Sequence, residues 1–470
     1  MSAVTQSSTG EGSIPNLISL QQIPCNFAQS LETDLLEPVI FNQGSATTDG
    51  FVRFTLQNKG FLHSHSKLFM SVENDAAASE GFLNPVTGIG QVIKKAVLKI
   101  GNKTLNEVSS WDALHGVKSS LIKSENNVER EFYTTSRVMN SEFVYDEDSS
   151  VKASQHGLDN GWEYTKTSAT QTPASVDGLR IPTFAVSNVN KGAESPTFAV
   201  DLSDLFPFLK VNQLPLYMIN EPINIELTFH PTGQRLQQTT DIEAGVPNGL
   251  VRQVDMKFCA DYVFYGETDE MERFAAANQD MSFSFVDYRS VEATISDGTL
   301  ASNVIRNLGM ANRMVPRVIT TLANTGKGQT NILTKANAQA PALATGVPGA
   351  VAYNLRYNDR YEFTTDVENT ARLFSILTDS EGVPFLNRTQ YSHQKNMITT
   401  KTYGGHNQHA ELAGEFFYLG TKLTGGRIGQ RGLEINLKGA FPASTTLMRN
   451  FCEYLRVAKL SGGLFEVYNA

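Results

Sequence analysis

Cysteine is scarce in this sequence. There are three in 470 residues, Cys25, Cys259 and Cys452, far apart and odd in number. That excludes a secreted disulfide framework and the close thiolate spacing of a structural zinc site, and it fits folding in a reducing compartment. Tryptophan is scarcer still, at two. Charged residues make up only 19%, and their balance is negative, with a formal net charge of -9. The cationic footprint of non-specific nucleic-acid binding is therefore missing, which argues against direct genome packaging by this chain. No run of about 18 apolar residues is available to span a bilayer as a helix. Residues 1–30 lack the basic stretch and following apolar stretch of a secretory signal. We therefore expect neither export through a signal peptide nor membrane embedding.

Catalytic signatures are missing as well: there is no GxSxG elbow and no HExxH, and carboxylates are scattered. His63-Ser64-His65 would place two imidazoles on one side of a strand, and His406 with His409 could share a face. Neither pair has a third ligand at metal spacing, so no metal site is expected. Gly88-Ile89-Gly90, Thr325-Gly326-Lys327-Gly328 and Gly425-Gly426-Arg427-Ile428-Gly429 superficially resemble phosphate loops. They lack the third glycine with its following helix, or the GxxxxGK[ST] spacing, and turns are the better reading. Asn102-Lys103-Thr104 and Asn387-Arg388-Thr389 fit the glycosylation sequon, but without a secretory signal chance occurrence is expected. The expectation is a protein without catalytic, cofactor-binding or metal-binding residues, and not an enzyme.

What is present is apolar residues in alternation. Hydrophobic residues reach 40%, enough for a globular chain, and the length exceeds what one core usually serves, so two domains of about 200 residues are expected. Period-2 patterns recur. Val52, Phe54 and Leu56 alternate with Arg53 and Thr55; Ile223, Ile225, Leu227 and Phe229 alternate with Asn224, Glu226 and Thr228. The longest sets Val254, Met256, Phe258, Ala260, Tyr262 and Phe264 against Asp255, Lys257 and Asp261, and Leu433, Ile435 and Leu437 repeat the pattern late in the chain. This is the mark of antiparallel sheets with one buried face.

Helical signals are few. One helix is predicted over Asn106–Lys123 from the spacing of Val108, Trp111, Leu114 and Leu121, and a single turn over Asp204–Leu209, interrupted by Pro207. The clearest helix is Asp269–Ala277, where Asp269 and Glu272 form a capping-box pattern and Met271, Phe274 and Ala275 form one apolar stripe. It reads as a connector between two sheet domains. Tyr145–Lys191 and Ala323–Gly349 read as long exposed excursions, and Met1–Ser30 as an arm. No internal repeat relates the two halves.

The segment Asp261–Ala275 (DYVFYGETDEMERFA) closely resembles a segment of the double jelly-roll major capsid proteins of nucleocytoplasmic large DNA viruses and related Polinton-like viruses and virophages. Three further segments resemble that family in order: Ile89–Gly101 with Trp111 downstream, Leu214–Phe229, and Asn450–Val467. Where large-virus members carry Pro-Ser-Gly followed by Asn-Phe-Ser-Arg, this chain has its own glycine- and arginine-rich stretch, Thr424–Gly432. The resemblance implies an all-β chain of two tandem eight-stranded jelly-roll sandwiches with a short connecting helix and long loop insertions. The divisions implied are an arm over 1–30, a first jelly roll over 31–266, a linker helix over 267–280 and a second jelly roll over 281–470. It also implies a major capsid protein of an icosahedral DNA virus, forming homotrimeric pseudo-hexagonal capsomers in the virion shell. The implied partners are neighbouring capsomers, penton proteins and minor capsid or cement proteins, with room for an internal membrane beneath the shell and no specific nucleic-acid contact. The alternative is a carbohydrate-binding or carbohydrate-active β-sandwich, against which the two tryptophans and the junction segment weigh.

Overall fold

A computed structural model of the chain describes residues 29–45, 47–71, 81–82, 89–121, 134–135, 185–186, 197–232, 237–238, 256–265, 268–295, 302–324, 352–367, 370–381, 418–424, 426–439 and 446–469. All strand pairing is antiparallel and falls into two sets that do not share a strand. In the N-terminal sandwich one sheet runs Thr197–Asp201, Lys67–Ser71, Met256–Tyr265, Phe61–Leu62, Leu214–Pro215, with Gln29–Leu36 on the other edge of Met256–Tyr265. The facing sheet runs Val39–Asn42, Gly50–Leu56, Ile223–Phe229, Ile93–Ile100, Lys103–Ser109. A small third sheet joins Gln237–Gln238, Gly81–Phe82 and Ala185–Val186.

The predicted alternation decides which face is buried. Val52, Phe54 and Leu56 point inward beside Ile223, Ile225 and Leu227, and meet Leu68, Met70, Phe258, Ala260 and Tyr262 of the other sheet. Phe54 and Phe258 bridge the two sheets with ring centroids 5.8 Å apart. Burying each such aromatic contributes about 1.5–3 kcal/mol.

The C-terminal sandwich pairs Asp280–Ile295, Thr446–Ser461, Arg317–Asn324 and Tyr418–Lys422 in one sheet, with Leu464–Asn469 beside the end of Thr446–Ser461. Ser302–Gly309, Leu433–Gly439, Ala352–Tyr357 and Arg360–Tyr361 form the other. Its core is separate: Val318, Tyr353, Leu355, Leu433, Ile435, Leu437, Met448 and Cys452. The helix Thr268–Ala277 connects the sandwiches as expected. Met271 and Phe274 pack on the N-terminal core, with Phe274 edge-on to Phe61 at 5.9 Å.

Several expectations are corrected. Asn106–Ser109 is not helical but ends the strand Lys103–Ser109, and the helix is Trp111–Leu121. Asn106 and Val108 are held in register with Leu98 and Ala96, and Ser110 at φ 50° breaks the strand before the helix begins. The helix over Asp204–Leu209 is two short helices, Leu202–Leu205 and Pro207–Val211, with Pro207 in the first helical position of the second, where its missing N–H costs nothing. His63-Ser64-His65 is a turn, not strand. The turn reading of Ile89-Gly90 agrees with the structure, where Ile89–Val92 is a 3-10 turn ahead of the strand Ile93–Ile100. The arm before Gln29, most of Tyr145–Lys191 and Ala323–Gly349, and His406 with His409, lie outside the described residues.

Candidate functional site: the seam between the sandwiches

The two sandwiches meet where the ladder Asp280–Ile295/Thr446–Ser461 extends past the C-terminal core. Sixteen residue pairs, from Asp280↔Ser461 to Ile295↔Thr446, make a ribbon about 50 Å long at ~3.3 Å per residue. One end serves its own sandwich, through Val291, Ala293, Met448 and Cys452. The other end serves the neighbour, with Met281, Phe283, Phe285, Ala458 and Leu460 joining the N-terminal core. Phe208, from the short helix Pro207–Val211, packs edge-on against Phe283 at 5.7 Å and Phe285 at 5.1 Å.

A buried polar cluster fixes how the ribbon sits. Asp287, 1% exposed, accepts hydrogen bonds from Asn106 Nδ2 at 3.1 Å, from the Glu107 and Tyr288 N–H groups at 3.3 and 3.0 Å, and from Tyr454 Oη at 3.0 Å. Arg456 Nη1 lies 2.7 Å from Asp287 Oδ2 and also donates to the Leu105 carbonyl at 3.0 Å. Asn106 Oδ1 in turn accepts from the Phe208 N–H at 2.9 Å. Burial pushes the Asp287 carboxyl above its ordinary range, although Arg456 and the hydrogen bonds from Glu107 and Asn106 oppose that.

Two more ion-pair groups flank it. Lys118 of the helix Trp111–Leu121 donates to Tyr288 Oη and lies 3.2 Å from Glu453 Oε2, with Arg317 at 3.7 Å on the other oxygen. Burial opposes the Glu453 charge, but Lys118, the Tyr288 hydroxyl and Arg317 outweigh it and hold the carboxyl below the usual range. Ser110 Oγ donates to Glu292 Oε1 at 2.7 Å, which also accepts from Arg449 at 2.9 Å. At the far end of the ribbon, the Asn220 N–H donates to the Gly463 carbonyl at 2.9 Å, and Glu221 accepts from the Phe465 N–H at 3.1 Å. Partly satisfied buried charges are costly and well-satisfied ones fix geometry, so this set holds the sandwiches in one relative orientation.

The residues weighed for chemistry from the sequence stay apart from this seam. His63 and His65 are neighbours, ring centroids 5.3 Å apart, with His65 Nδ1 3.6 Å from Asp201. Among the described residues no three metal-type ligands converge. A cleft of about 510 Å³ lined by Arg53, Lys99, Asn102 and Glu226 lies on the outer face of the N-terminal sandwich. Arg53 and Lys99 are both paired with Glu226, at 2.8 and 2.6 Å, and Glu221, which also lines the cleft, is held by the Phe465 N–H. Asn102 of the first sequon is exposed in the turn after Ile100, and Asn387 lies outside the described residues. Exposed large apolar side chains instead collect on two edge strands: Leu31 and Leu35 on Gln29–Leu36, and Val39, Ile40 and Phe41 on Val39–Asn42. Unpaired edges with exposed apolar residues are templates for association. Sequence reasoning missed both the seam and this edge; the edge was visible as the dense apolar run Leu35–Phe41.

Two antiparallel sandwiches in tandem, joined by a short helix and locked along a seam, define the double jelly-roll class. Comparison with solved structures agrees. The chain is similar in fold to a chain of the PBCV-1 virus capsid, with a TM-score of 0.54 at 11% identity, covering 94% of this chain and 97% of that one. It is also similar to the mavirus major capsid protein, with a TM-score of 0.50 at 10% identity over 93% and 90% of the two chains. No protein-family profile matches the sequence, and no curated protein does.

Proposed function

We propose that this chain is the major capsid protein of an icosahedral DNA virus, a structural subunit and not an enzyme, whose place is the virion shell. The observation that carries this is the seam. Two sandwiches locked side by side make one stiff block, and three such blocks around a three-fold axis give six sandwiches, a pseudo-hexagonal tile. Closure of a three-membered ring uses two different faces of the same chain. The apolar edge Leu31, Leu35, Val39, Ile40 and Phe41 supplies one such face. This reading takes residues 31–266 and 281–470 as the two folding units, with 267–280 as linker. Penton and minor capsid or cement proteins, and an internal membrane, are further partners in this reading.

A carbohydrate-binding role gains no support from Trp111, which is 2% exposed and stacked on His115 at 4.4 Å. The test is the mass of the purified chain together with the variant Leu31→Asp/Leu35→Asp. Wild type is expected as a trimer and the variant as a folded monomer. A wild-type chain that stays single at high concentration would refute the proposal.

A further inference from the structure

The end of the C-terminal sandwich carries three turns, 309–314, 358–359 and 426–432, that are hydrogen-bonded into one unit. The Asn312 N–H donates to the Ile428 carbonyl at 2.9 Å and the Ile428 N–H to the Arg313 carbonyl at 2.9 Å. Asn358 clasps the third turn, donating to the Arg427 carbonyl at 3.0 Å and accepting from the Gly429 N–H at 2.6 Å. Asn307 reaches the Arg431 carbonyl at 3.0 Å. Four of the five non-glycine residues with positive φ among the described residues sit here: Met310, Asn312, Asn358 and Asp359. Strained backbone of this kind persists only where the surroundings over-determine it, and it concentrates at sites of function.

The charge of these turns runs against that of the protein. On a chain of net charge -9, the turns and their flanks hold Arg313, Arg356, Arg360, Arg427 and Arg431 and no lysine. Arg431 pairs with Asp359, and Arg356 with Glu434 at 3.8 Å. Arg313, Arg360 and Arg427 have no carboxylate partner among the described residues. Arginine in place of lysine suits phosphate, which its planar fork binds through two parallel hydrogen bonds. Beside these arginines stand Met314, 40% exposed and bridged to Arg427, and Tyr361, 52% exposed and paired with Arg356. An apolar and aromatic side chain among arginines matches a lipid interface, where the apolar group enters the headgroup layer and the cation meets phosphate. It matches duplex DNA poorly, because those side chains would lie against phosphates. The strands Arg317–Asn324 and Ala352–Tyr357 fix where these turns lie: Asn324 and Ala352 are at one end of the C-terminal sandwich, and the arginine turns are at the other.

We infer that this turn cluster is a docking surface for the anionic phosphate headgroups of a lipid bilayer, the end of the subunit that faces inward. The inference rests on the capsid reading, which supplies the reason for a lipid-facing end. The test is flotation of the full chain with vesicles of phosphatidylcholine alone or with phosphatidylserine added, with native mass measured on the same samples. Wild type is expected to bind the anionic vesicles and not the neutral ones. Arg360→Gln/Arg427→Gln is expected to lose on the order of ten- to thirty-fold in partitioning, about the effect of two cations at an anionic surface. Gln430→Glu, at an exposed turn position, is expected to weaken binding in the same direction. Equal binding to both vesicles, binding unchanged in both variants, or stronger capture of a short DNA duplex than of vesicles would each overturn the inference. Trimers that ignore vesicles would overturn it alone, whereas monomers would overturn the capsid reading.

Discussion

Arg456→Met is the sharpest probe of the seam. The guanidinium holds the buried carboxylate of Asp287 at 2.7 Å and the Leu105 carbonyl at 3.0 Å, tying the C-terminal ribbon to the N-terminal sandwich. Methionine keeps most of the aliphatic stem but leaves Asp287 buried with only neutral donors, Asn106, Tyr454 and two backbone N–H groups. Breaking one side of a buried ion pair costs about 3–5 kcal/mol. At about 2–4 °C per kcal/mol for a unit of this size, the unfolding midpoint should fall by roughly 6–20 °C. Adding Asp287→Asn should recover part of that loss, since an amide needs no counter-charge, giving a coupling of at least about 1 kcal/mol between the two sites. Scanning calorimetry of the wild type, both single variants and the double variant measures this. A drop below about 2 °C for Arg456→Met, or strictly additive effects, would refute a role for the pair in joining the sandwiches.

Other perturbations test the same geometry. Gly463→Ala puts a Cβ 2.1 Å from Asn220 Nδ2 and 3.3 Å from the Met218 carbonyl at φ +82°, whereas Gly462→Ala at φ +57° meets nothing within 4 Å. Both incur the left-handed penalty of roughly 1–2 kcal/mol, so denaturant titration should show Gly463→Ala clearly worse. Phe208→Ala removes the ring between Phe283 and Phe285 and should cost about 3–5 kcal/mol by the same titration. Glu453 is held below its ordinary value of 4.5, so the stability it contributes is complete above that pH and is lost as pH falls through the lower folded value. Glu453→Gln should therefore flatten the acid limb of the stability profile below about pH 4.5, and an unchanged limb would contradict the assignment.

Much of the fold was legible because one-sided burial imposes a period of two. The strands Gly50–Leu56, Ile223–Phe229 and Leu433–Gly439 follow that pattern, and the capping residues around Asp269 marked the connecting helix to within a residue. Asn106–Ser109 misled because Val108, Trp111 and Leu114 have helical spacing across a strand–helix break that only the positive φ of Ser110 reveals. The helix Thr370–Glu381 went unread although Leu373, Ile376 and Leu377 carry its spacing; Leu377 packs over Gly420, where a Cβ would come within 2.6 Å. The seam was illegible for a physical reason. Asp287 and Arg456 look like ordinary strand charges in sequence, and their burial depends on Asn106, 181 residues from Asp287, and on Phe208, which lies 102 residues from the Asn106 it bonds.

The most direct measurement is the native mass and outline of the purified full-length chain by mass spectrometry and electron microscopy. Three copies of 51.6 kDa in a particle with a six-lobed outline are expected. A single 51.6 kDa species at high concentration, or an oligomer without six lobes, would contradict the proposal that locked sandwich pairs tile a shell.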